Sequence, residues 1–288
     1  MNKKVSIIIP CYNNEKYVEE AVNSALNQTY RDIEIVIVND CSTDNSRDVI
    51  LNIVSQNNNI KFIDNPENKG VIFSRNVAID NCEGDYILPL DADDTIEPTY
   101  VERAVYLLDN IPSIGIVYCK ARLFGAKNEK WELPVFNKET IIFGNQIFCS
   151  AVFRKSDFYK AGKYKEYMKD GCEDWDLWLS FIELGLDAYC IDEVLFNYRQ
   201  YKNSKNRSAF CQRKIENVLA NLGVNHSALY FTNKILQKKV FHSSIDEVPK
   251  LKKKVKKYKK LFNLFLILSA TEIILILLMI FQIWRMNV

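Results

Sequence analysis

Histidine is nearly absent from this chain, and its scarcity limits the chemistry open to most of the sequence. The 288 residues contain two histidines, His226 and His242, both late in the chain. A histidine-based catalytic triad and a histidine-rich metal site are therefore excluded from the first 200 residues. Acid–base or metal chemistry in that part must be carried out by carboxylates.

Several other common motifs are also missing. Neither of the glycine-rich phosphate loops, GxGxxG and GxxxxGK[ST], occurs among the nine glycines. The eight cysteines form no CxxC pair and show no zinc-site spacing. The apolar run over residues 5–9 is too short for a secretory signal and ends at Pro10. We therefore expect the cysteines to be reduced thiols in a cytosolic domain.

Charge is nearly balanced in total but unevenly placed along the chain. Lysine and arginine number 38 against 36 aspartate and glutamate, and this formal charge of +2 gives no case for nucleic acid as a partner. Eight lysines nevertheless lie between Lys250 and Lys260. The hydrophobic fraction of 48% is enough to fill a core, which argues against a disordered chain.

The first 120 residues alternate between short β-branched runs and helical patterns. This alternation predicts an α/β fold with a mostly parallel central sheet and right-handed crossovers. Further helices are predicted over 174–184 and 211–248, whereas residues 124–170 are aromatic, basic and weakly periodic. The predicted strands are 5–10, 33–38, 61–64, 86–90 and 115–123, and the helices between them are 16–27, 45–56, 71–81 and 98–109.

The segment 261–284 is the longest apolar run in the chain. As a helix, its 24 residues would be about 36 Å long, against a hydrocarbon core of about 30 Å. Glu272 near its middle would cost about 2–4 kcal/mol if charged in lipid, which nineteen apolar residues should outweigh. We expect a transmembrane helix, with the preceding lysine run on the cytoplasmic side. A buried hairpin or an interfacial helix is the alternative.

Aspartates cluster where the predicted strands end. Asp40 ends the second strand, and Asp91, Asp93 and Asp94 follow the strand 86–90. Ligands of open parallel sheets bind outside the carboxyl ends of the strands. Carboxylate oxygens there suit Mg²⁺ or Mn²⁺, which usually accompany a phosphate. We expect Asp91 and Asp93 to be functional, and Asp94 to cap the helix that follows.

Four segments follow one another in order and in register over about 95 residues: VSIIIPCYNNEKYVEEAVNSALNQTY, IEIVIVNDCSTDNS, NKGVIFSRNVAI and GDYILPLDADD. Two later segments, GCEDWDLWLSFIELG and VLFNYRQ, continue the pattern to about residue 205. Together these segments resemble glycosyltransferase family 2. The resemblance implies a GT-A fold, a nucleotide-diphosphate sugar donor, a divalent cation (Mn²⁺ or Mg²⁺) and an inverting mechanism.

The resemblance assigns donor-binding roles to five residues. Pro10 and Tyr12 would line the pocket of the nucleotide base, with Tyr12 stacking on the ring. Asp40 would hydrogen-bond the base, Arg75 would lie near the nucleotide and Asp91 would contact the ribose. Two simpler interpretations remain open, a packed aromatic for Tyr12 and a surface position for Arg75.

Four further residues would act on the reacting groups. Asp93 would hold the metal on the diphosphate, and Asp174 would be the catalytic base, with Glu173 beside it. Arg199 is a candidate contact of the departing pyrophosphate. The alternative for Asp174 is a helix cap, a role compatible with that of a base.

Two positions depart from the pattern of the family. Many relatives have a histidine two residues after the tyrosine–arginine pair, where this chain has Tyr201. The stretch AGKYKEYMKDG replaces a GGFDE-like segment, so Gly162 is kept and the acid is not. Acceptor recognition is therefore expected within residues 124–170.

The sequence thus predicts three parts: a GT-A catalytic domain over 1–210, a helical lysine-rich juxtamembrane segment over 211–260 and a transmembrane helix over 261–284. The predicted enzyme uses a donor that is commonly UDP-linked. It acts on a glycan or lipid-linked acceptor at the cytoplasmic face of the cell membrane, in cell-surface polysaccharide or glycoconjugate synthesis. The alternatives are a sugar-nucleotide-forming nucleotidyltransferase, disfavoured by CYNNEK after the first strand, and an inactive membrane-tethered nucleotide-sugar-binding scaffold.

Overall fold

The computed structural model describes residues 3–201, 212–235, 281–282 and 284–285, and the structural statements below concern those residues. The chain divides into two compact units, residues 1–230 and 231–288. The first unit contains the whole sheet described here.

Four parallel strands form the first half of the sheet, in the order β3-β2-β1-β4. Every residue of β1 is buried, as expected of a strand covered on both faces by helices. The predicted parallel sheet is confirmed in this half. Its elements are β1 (Val5–Cys11), α1 (Val18–Leu26), β2 (Ile33–Asn39), α2 (Ser46–Ser55), β3 (Ile60–Asp64), α3 (Val71–Asp80) and β4 (Tyr86–Pro89).

The second half of the sheet is mixed. Its elements are β5 (Thr95–Ile96), α4 (Tyr100–Asn110), β6 (Ile114–Gly125), β7 (Glu129–Trp131), a 3-10 helix (Ile141–Phe143), β8 (Val152–Arg154), α5 (Lys155–Lys160), α6 (Glu173–Glu183) and β9 (Asp187–Gln200). Strand β8 pairs antiparallel with β4 on one side and β6 on the other, and β6 runs parallel to the long β9. The order of the whole sheet continues β4-β8-β6-β9-β5, with β7 paired to β6.

Helix α6 is anchored in the core by two tryptophans. Trp175 and Trp178 are both buried, and Trp178 packs against Phe153 and Phe181. Each indole N–H donates to a backbone carbonyl in the segment before β8, Trp175 to Ile141 at 2.8 Å and Trp178 to Ile147 at 3.1 Å. The tryptophan rings therefore anchor helix α6 in the core, and their N–H groups fix the position of the segment before β8.

Two further helices follow, α7 (Gln212–Asn225) and α8 (Ser227–Thr232). His226 lies between them and contacts α6, with one ring nitrogen 3.1 Å from Asp176 and the other 3.0 Å from Glu183. Both nitrogens face carboxylates, so an imidazolium that donates two hydrogen bonds satisfies the arrangement. Burial lowers the pKa of His226, but the hydrogen bonds to Asp176 and Glu183 outweigh that effect and raise it.

No helix in the described part of the chain is both long and apolar enough to cross a membrane. The predicted transmembrane helix over 261–284 lies outside the described residues except at 281–282 and 284. The lysine run before it also lies outside them. Both therefore stay predictions.

The histidine contact predicts a specific dependence of stability on pH. Because the pKa of His226 is raised in the folded state, its contribution is complete below its ordinary pKa of about 6.5. The contribution disappears as the pH rises through the raised value. Each pKa unit corresponds to about 1.4 kcal/mol, or about 3–6 °C in melting temperature for a domain of this size.

We therefore expect the melting temperature to fall between pH 6.5 and 9 by more in the wild type than in His226→Gln. Thermal melts of both proteins across that range would measure the difference. Parallel curves for the two proteins would show that His226 is not protonated in the folded state.

Candidate active site

A cleft of about 410 Å³ opens at the carboxyl ends of β1, β2 and β4. Two of the nine predicted site residues, Asp174 and Arg199, do not line it. The other seven are on its wall: Pro10, Tyr12, Asp40, Arg75, Asp91, Asp93 and Glu173.

The backbone around the cleft adopts conformations that most residues avoid. Asn13 after β1, Cys41 after β2 and Cys172 before α6 have φ values of 53°, 57° and 62°. Left-handed non-glycine residues are sparsely populated and concentrate at functional sites. The first two loops also bind each other, since the Asn13 N–H donates to Ser42 and its side chain accepts from the Thr43 N–H. These turns hold the strand ends in place around the cleft.

Tyr12 and Asp40 form the part of the cleft nearest β1 and β2. Tyr12 is 46% exposed, so the alternative of a packed core aromatic is wrong. The Asp40 carboxylate accepts from the Asn65 amide at 2.9 Å and from the backbone N–H groups of Lys69 at 3.1 Å and Gly70 at 2.7 Å. Three of its roughly four acceptor positions are thereby occupied, which leaves one for a ligand.

Arg75 joins two acidic segments at the floor of the cleft. Its Nη2 lies 2.6 Å from Asp91 Oδ1, and its Nη1 lies 2.5 Å from Glu173 Oε1. The residue is 2% exposed, so the alternative of a surface position is wrong. Burial lowers the pKa of Arg75, but the carboxylates of Asp91 and Glu173 raise it well above its ordinary value, and the guanidinium stays charged.

Asp93 is the second acidic residue of the loop after β4, and its carboxylate lies on the cleft wall. Its Oδ2 accepts a hydrogen bond from the Tyr201 phenol at 2.6 Å. The position where many relatives have a histidine therefore contacts the predicted metal ligand directly. The described residues contain no cluster of three or more histidine, cysteine, aspartate or glutamate side chains placed to hold a metal ion by themselves.

Arg199 is close to the cleft but binds the protein around it. Its Nε donates to the Asp93 carbonyl at 2.7 Å, and its Nη2 pairs with Glu20. Its guanidinium also lies over the rings of Tyr17 and Phe124, at 4.4 and 4.2 Å from the ring centres. These contacts connect the end of β9 to the loop after β4.

Asp94 does not cap the following helix, so that expectation is wrong. Helix α4 begins at Tyr100, and Asp94 is fully buried, with its Oδ1 accepting the Arg199 N–H at 2.8 Å. Burial, with Asp91 and Asp93 beside it, raises the pKa of Asp94 to about 9. Its contact with the Arg199 backbone therefore connects β9 to the acidic loop.

The adjacent acids at the start of α6 have different environments. Glu173 is ion-paired with Arg75. Asp174 Oδ1 accepts the Trp175 N–H at 2.7 Å, and its Oδ2 accepts the Asn145 amide at 3.1 Å. Burial and the neighbouring Glu173 raise the pKa of Asp174 to about 7, although Arg75 and both hydrogen bonds oppose the rise. Neighbouring carboxylates with different environments can take different roles, and the raised pKa of Asp174 is the one suited to accepting a proton.

Two residues at the site have no signature in the sequence. Asn145 contacts Asp174, and the Cys149 thiol lies 3.6 Å from Asp91 Oδ2. Burial raises the pKa of Cys149 well above its ordinary value, so it is a neutral thiol that donates. Both belong to the weakly periodic stretch 124–170, where no spacing pattern indicates which polar side chains turn toward the cleft.

Comparison with known proteins places this geometry in a family. The sequence profile of Glycosyl transferase family 2 matches residues 6–173. An uncharacterized glycosyltransferase of Haemophilus influenzae is 30% identical over 257 residues, which are 83% of this chain and 78% of that protein. The hyaluronan synthase of Pasteurella multocida is 29% identical over 80% of this chain. That alignment covers only 24% of the synthase, so this chain corresponds to about a quarter of it.

Solved structures share the fold at low sequence identity. Staphylococcus aureus TarS 1–349 in complex with UDP-GlcNAc has a TM-score of 0.65 at 20% identity, covering 86% of this chain and 77% of that one. Mannosyltransferase PcManGT from Pyrobaculum calidifontis, in complex with GDP-Man and Mn²⁺, has a TM-score of 0.58 at 16% identity, covering 91% and 81%. The expected GT-A-like α/β fold is thereby confirmed. With the profile match and the Haemophilus relative, the chain belongs to glycosyltransferase family 2 and is a glycosyltransferase.

Proposed function

We propose that this protein transfers a sugar from a UDP-linked donor to a hydroxyl group of a glycan or lipid-linked acceptor, with inversion at the anomeric carbon. The observation that carries the proposal is the difference between the two acids at the start of α6. Glu173 is ion-paired with Arg75, whereas the pKa of the adjacent Asp174 is raised to about 7, in the range suited to a general base.

The proposed reaction is a single displacement. The oxygen of the acceptor hydroxyl forms a bond to the anomeric carbon, and the bond from that carbon to the diphosphate oxygen breaks. The bonding electron pair leaves with the diphosphate, and Asp174 takes the proton of the hydroxyl. No histidine is needed, in keeping with its absence from the first 200 residues.

Residues of the cleft supply the donor site. Tyr12 is exposed on the wall and can stack on a nucleotide base, with Pro10 beside it. Asp40 has an acceptor position left for a base N–H, and Asp91 lies where a ribose hydroxyl could donate to it. The UDP and UDP-GlcNAc complexes of TarS support a UDP donor, and the GDP-Man complex of PcManGT makes GDP the competing choice.

A divalent cation fits the same cleft through Asp93. Mg²⁺ and Mn²⁺ take oxygen ligands, and Mg²⁺ is commonly held by one or two carboxylates together with substrate phosphates. One carboxylate on the wall therefore suffices when the donor contributes its diphosphate. When bound, Mn²⁺ or Mg²⁺ would neutralise negative charge on the leaving diphosphate. The proposed pyrophosphate contact of Arg199 stays a prediction, since its side chain is engaged by Asp93 and Glu20.

The location of the enzyme is part of the proposal. The lysine run and the apolar segment 261–284 support a catalytic domain held at the cytoplasmic face of the cell membrane by a single-pass helix. Attachment there suits a membrane-bound acceptor in cell-surface polysaccharide synthesis. The matches to a hyaluronan synthase and a chondroitin synthase of Pasteurella multocida support the polysaccharide class.

Membership of the family removes the nucleotidyltransferase alternative. The remaining rival is a scaffold that keeps the nucleotide-sugar cleft without turnover. The intact Asp91, Asp93 and Asp174 favour the enzyme, and the substitutions below distinguish the two.

Asp174→Asn is expected to lower kcat by about 10²–10⁴-fold, because a carboxamide cannot take the acceptor proton. The dissociation constant of the donor should change by less than about twofold, since Asp174 does not line the cleft. Donor turnover and calorimetric binding would measure both quantities. Asp48→Asn, on the exposed side of α2, is the matched control and should change neither. Full turnover in Asp174→Asn would remove Asp174 from the reaction, and donor binding without turnover in the wild type would favour the scaffold.

The donor screen uses the full chain in mild detergent with Mn²⁺ or Mg²⁺ and a panel of UDP-, GDP- and TDP-sugars. A ligand at about 100 times its dissociation constant stabilises a protein by about 2.7 kcal/mol, a shift of several degrees in melting temperature. We expect UDP-sugars to give this shift, and EDTA or Asp93→Asn to reduce it. A larger shift with GDP-sugars would correct the base, and no shift with any donor would contradict the donor site.

Deletion of residues 250–288 tests the membrane part of the proposal. We expect the shortened chain to leave the membrane fraction and to lose activity on a lipid-linked acceptor while it still hydrolyses the donor. Fractionation and the two assays would show this. Unchanged membrane association together with unchanged activity on the lipid-linked acceptor would refute the anchoring role.

A further inference from the structure

The loop between the 3-10 helix and β8 reaches across to the start of α6. Its Asn145 donates from Nδ2 to Asp174 Oδ2 at 3.1 Å. The Oδ1 of the same side chain accepts the Ile147 N–H at 3.2 Å. A backbone N–H can only donate, so it fixes the oxygen of the amide on its own side and turns the NH₂ group toward Asp174.

The loop that carries Asn145 is braced by the helix that carries Asp174. The indoles of Trp175 and Trp178 donate to the carbonyls of Ile141 and Ile147, on either side of Asn145. Both indoles are buried, so these bonds are shielded from competing water. Asn145 and Asp174 are therefore held at a fixed separation by the protein core.

The buried Gln146 adds a second brace to this loop. Its side chain accepts the Asn137 N–H at 2.8 Å and donates to Thr140 Oγ1 at 2.8 Å. The contact between Asn145 and Asp174 thus belongs to an ordered loop with an internal hydrogen-bond network.

The groups around Asp174 determine how strongly the hydrogen bond from Asn145 affects its ionisation. Of the titratable groups that face it, Glu173 disfavours its charged form and Arg75 favours it. The thiols of Cys149 and Cys172 and the phenol of Tyr164 have raised pKa values and stay neutral. Within the described residues, the side-chain hydrogen bond to Asp174 comes from Asn145, and it favours the carboxylate.

We propose that Asn145 is a positioning residue that orients Oδ2 of Asp174 and keeps this carboxylate ionised, so that it can accept the proton of the acceptor hydroxyl. The inference rests on the proposed function, because it needs Asp174 to be the base. A carboxylate oxygen has two acceptor positions, so the bond from Asn145 still leaves one on Oδ2 for the incoming proton. Asn145 lies outside the cleft lining, so we expect its substitution to leave donor binding unchanged.

The test is the pH profile of kcat in Asn145→Ala and in the isosteric Asn145→Asp. The assay is hydrolysis of the nucleotide sugar that stabilises the full chain most in the donor screen, starting with UDP-GlcNAc and with water as the acceptor. Loss of a donor to the charged form raises the pKa of a carboxyl, so the acid limb should move upward by about one pH unit in Asn145→Ala. In Asn145→Asp, the added negative charge should move the acid limb further upward.

The expected result is therefore a kcat about tenfold lower at the acid end, a difference that shrinks as the pH rises, and a KM for the donor within about twofold. Asn137→Ala is the matched control, because the Asn137 side chain accepts the N–H groups of Glu139 and Thr140 just before the 3-10 helix and does not contact Asp174. It should leave the acid limb in place. If Asn145→Ala does not fold, the isosteric Asn145→Asp carries the test.

An acid limb that stays in place in both Asn145 variants, or that moves equally in Asn137→Ala, would overturn the positioning role. In that case, a wild type that turns over and an inactive Asp174→Asn would leave the proposed function intact. Full turnover in Asp174→Asn would overturn both.

Discussion

The buried guanidinium of Arg75 is the interaction on which the rest of the site depends. It bridges Asp91, after the fourth strand, and Glu173, at the start of α6, two segments far apart in sequence. Removing one partner of a buried ion pair typically costs about 3–5 kcal/mol, because the other charge stays buried and uncompensated. The arginine therefore sets where α6 begins relative to the acidic loop and which of its two acids is neutralised.

The direction of the strands explains how separate segments meet at one cleft. Strands β1, β2 and β4 run parallel, so their carboxyl ends and the residues that follow them lie along one edge of the sheet. Strand β8 runs antiparallel to β4, and its first residue therefore lies near that same edge. The loop before β8 thus brings Asn145 and Cys149 to the acidic groups from the opposite chain direction.

The strands that sequence patterns predicted are those formed by continuous apolar runs, whereas the 14-residue β9, buried at few of its positions, was missed. Strands β1 and β2 each differ from their predicted ends by one residue, since continuous apolar runs fix a buried strand. Strands β5 and β8, of two and three residues, were not predicted, because so short a run carries no period.

The candidate site shows the same contrast. Acids at strand ends and the family segments predicted seven residues of one cleft wall. The helix-capping role expected of Asp94 was wrong, because a contact with the backbone of Arg199, 105 positions away, cannot be seen locally. Asn145 was missed for the same reason, since its partner lies 29 positions further along the chain.

The central claim is that one carboxylate, Asp174, serves a single displacement. The measurement that tests it most directly is the anomeric configuration of the sugar released when water serves as the acceptor, followed by proton NMR before mutarotation. The account predicts that the transferred sugar has the configuration opposite to that in the donor. Retention of the donor configuration would contradict it, because two successive displacements or an attack from the same face would then be required.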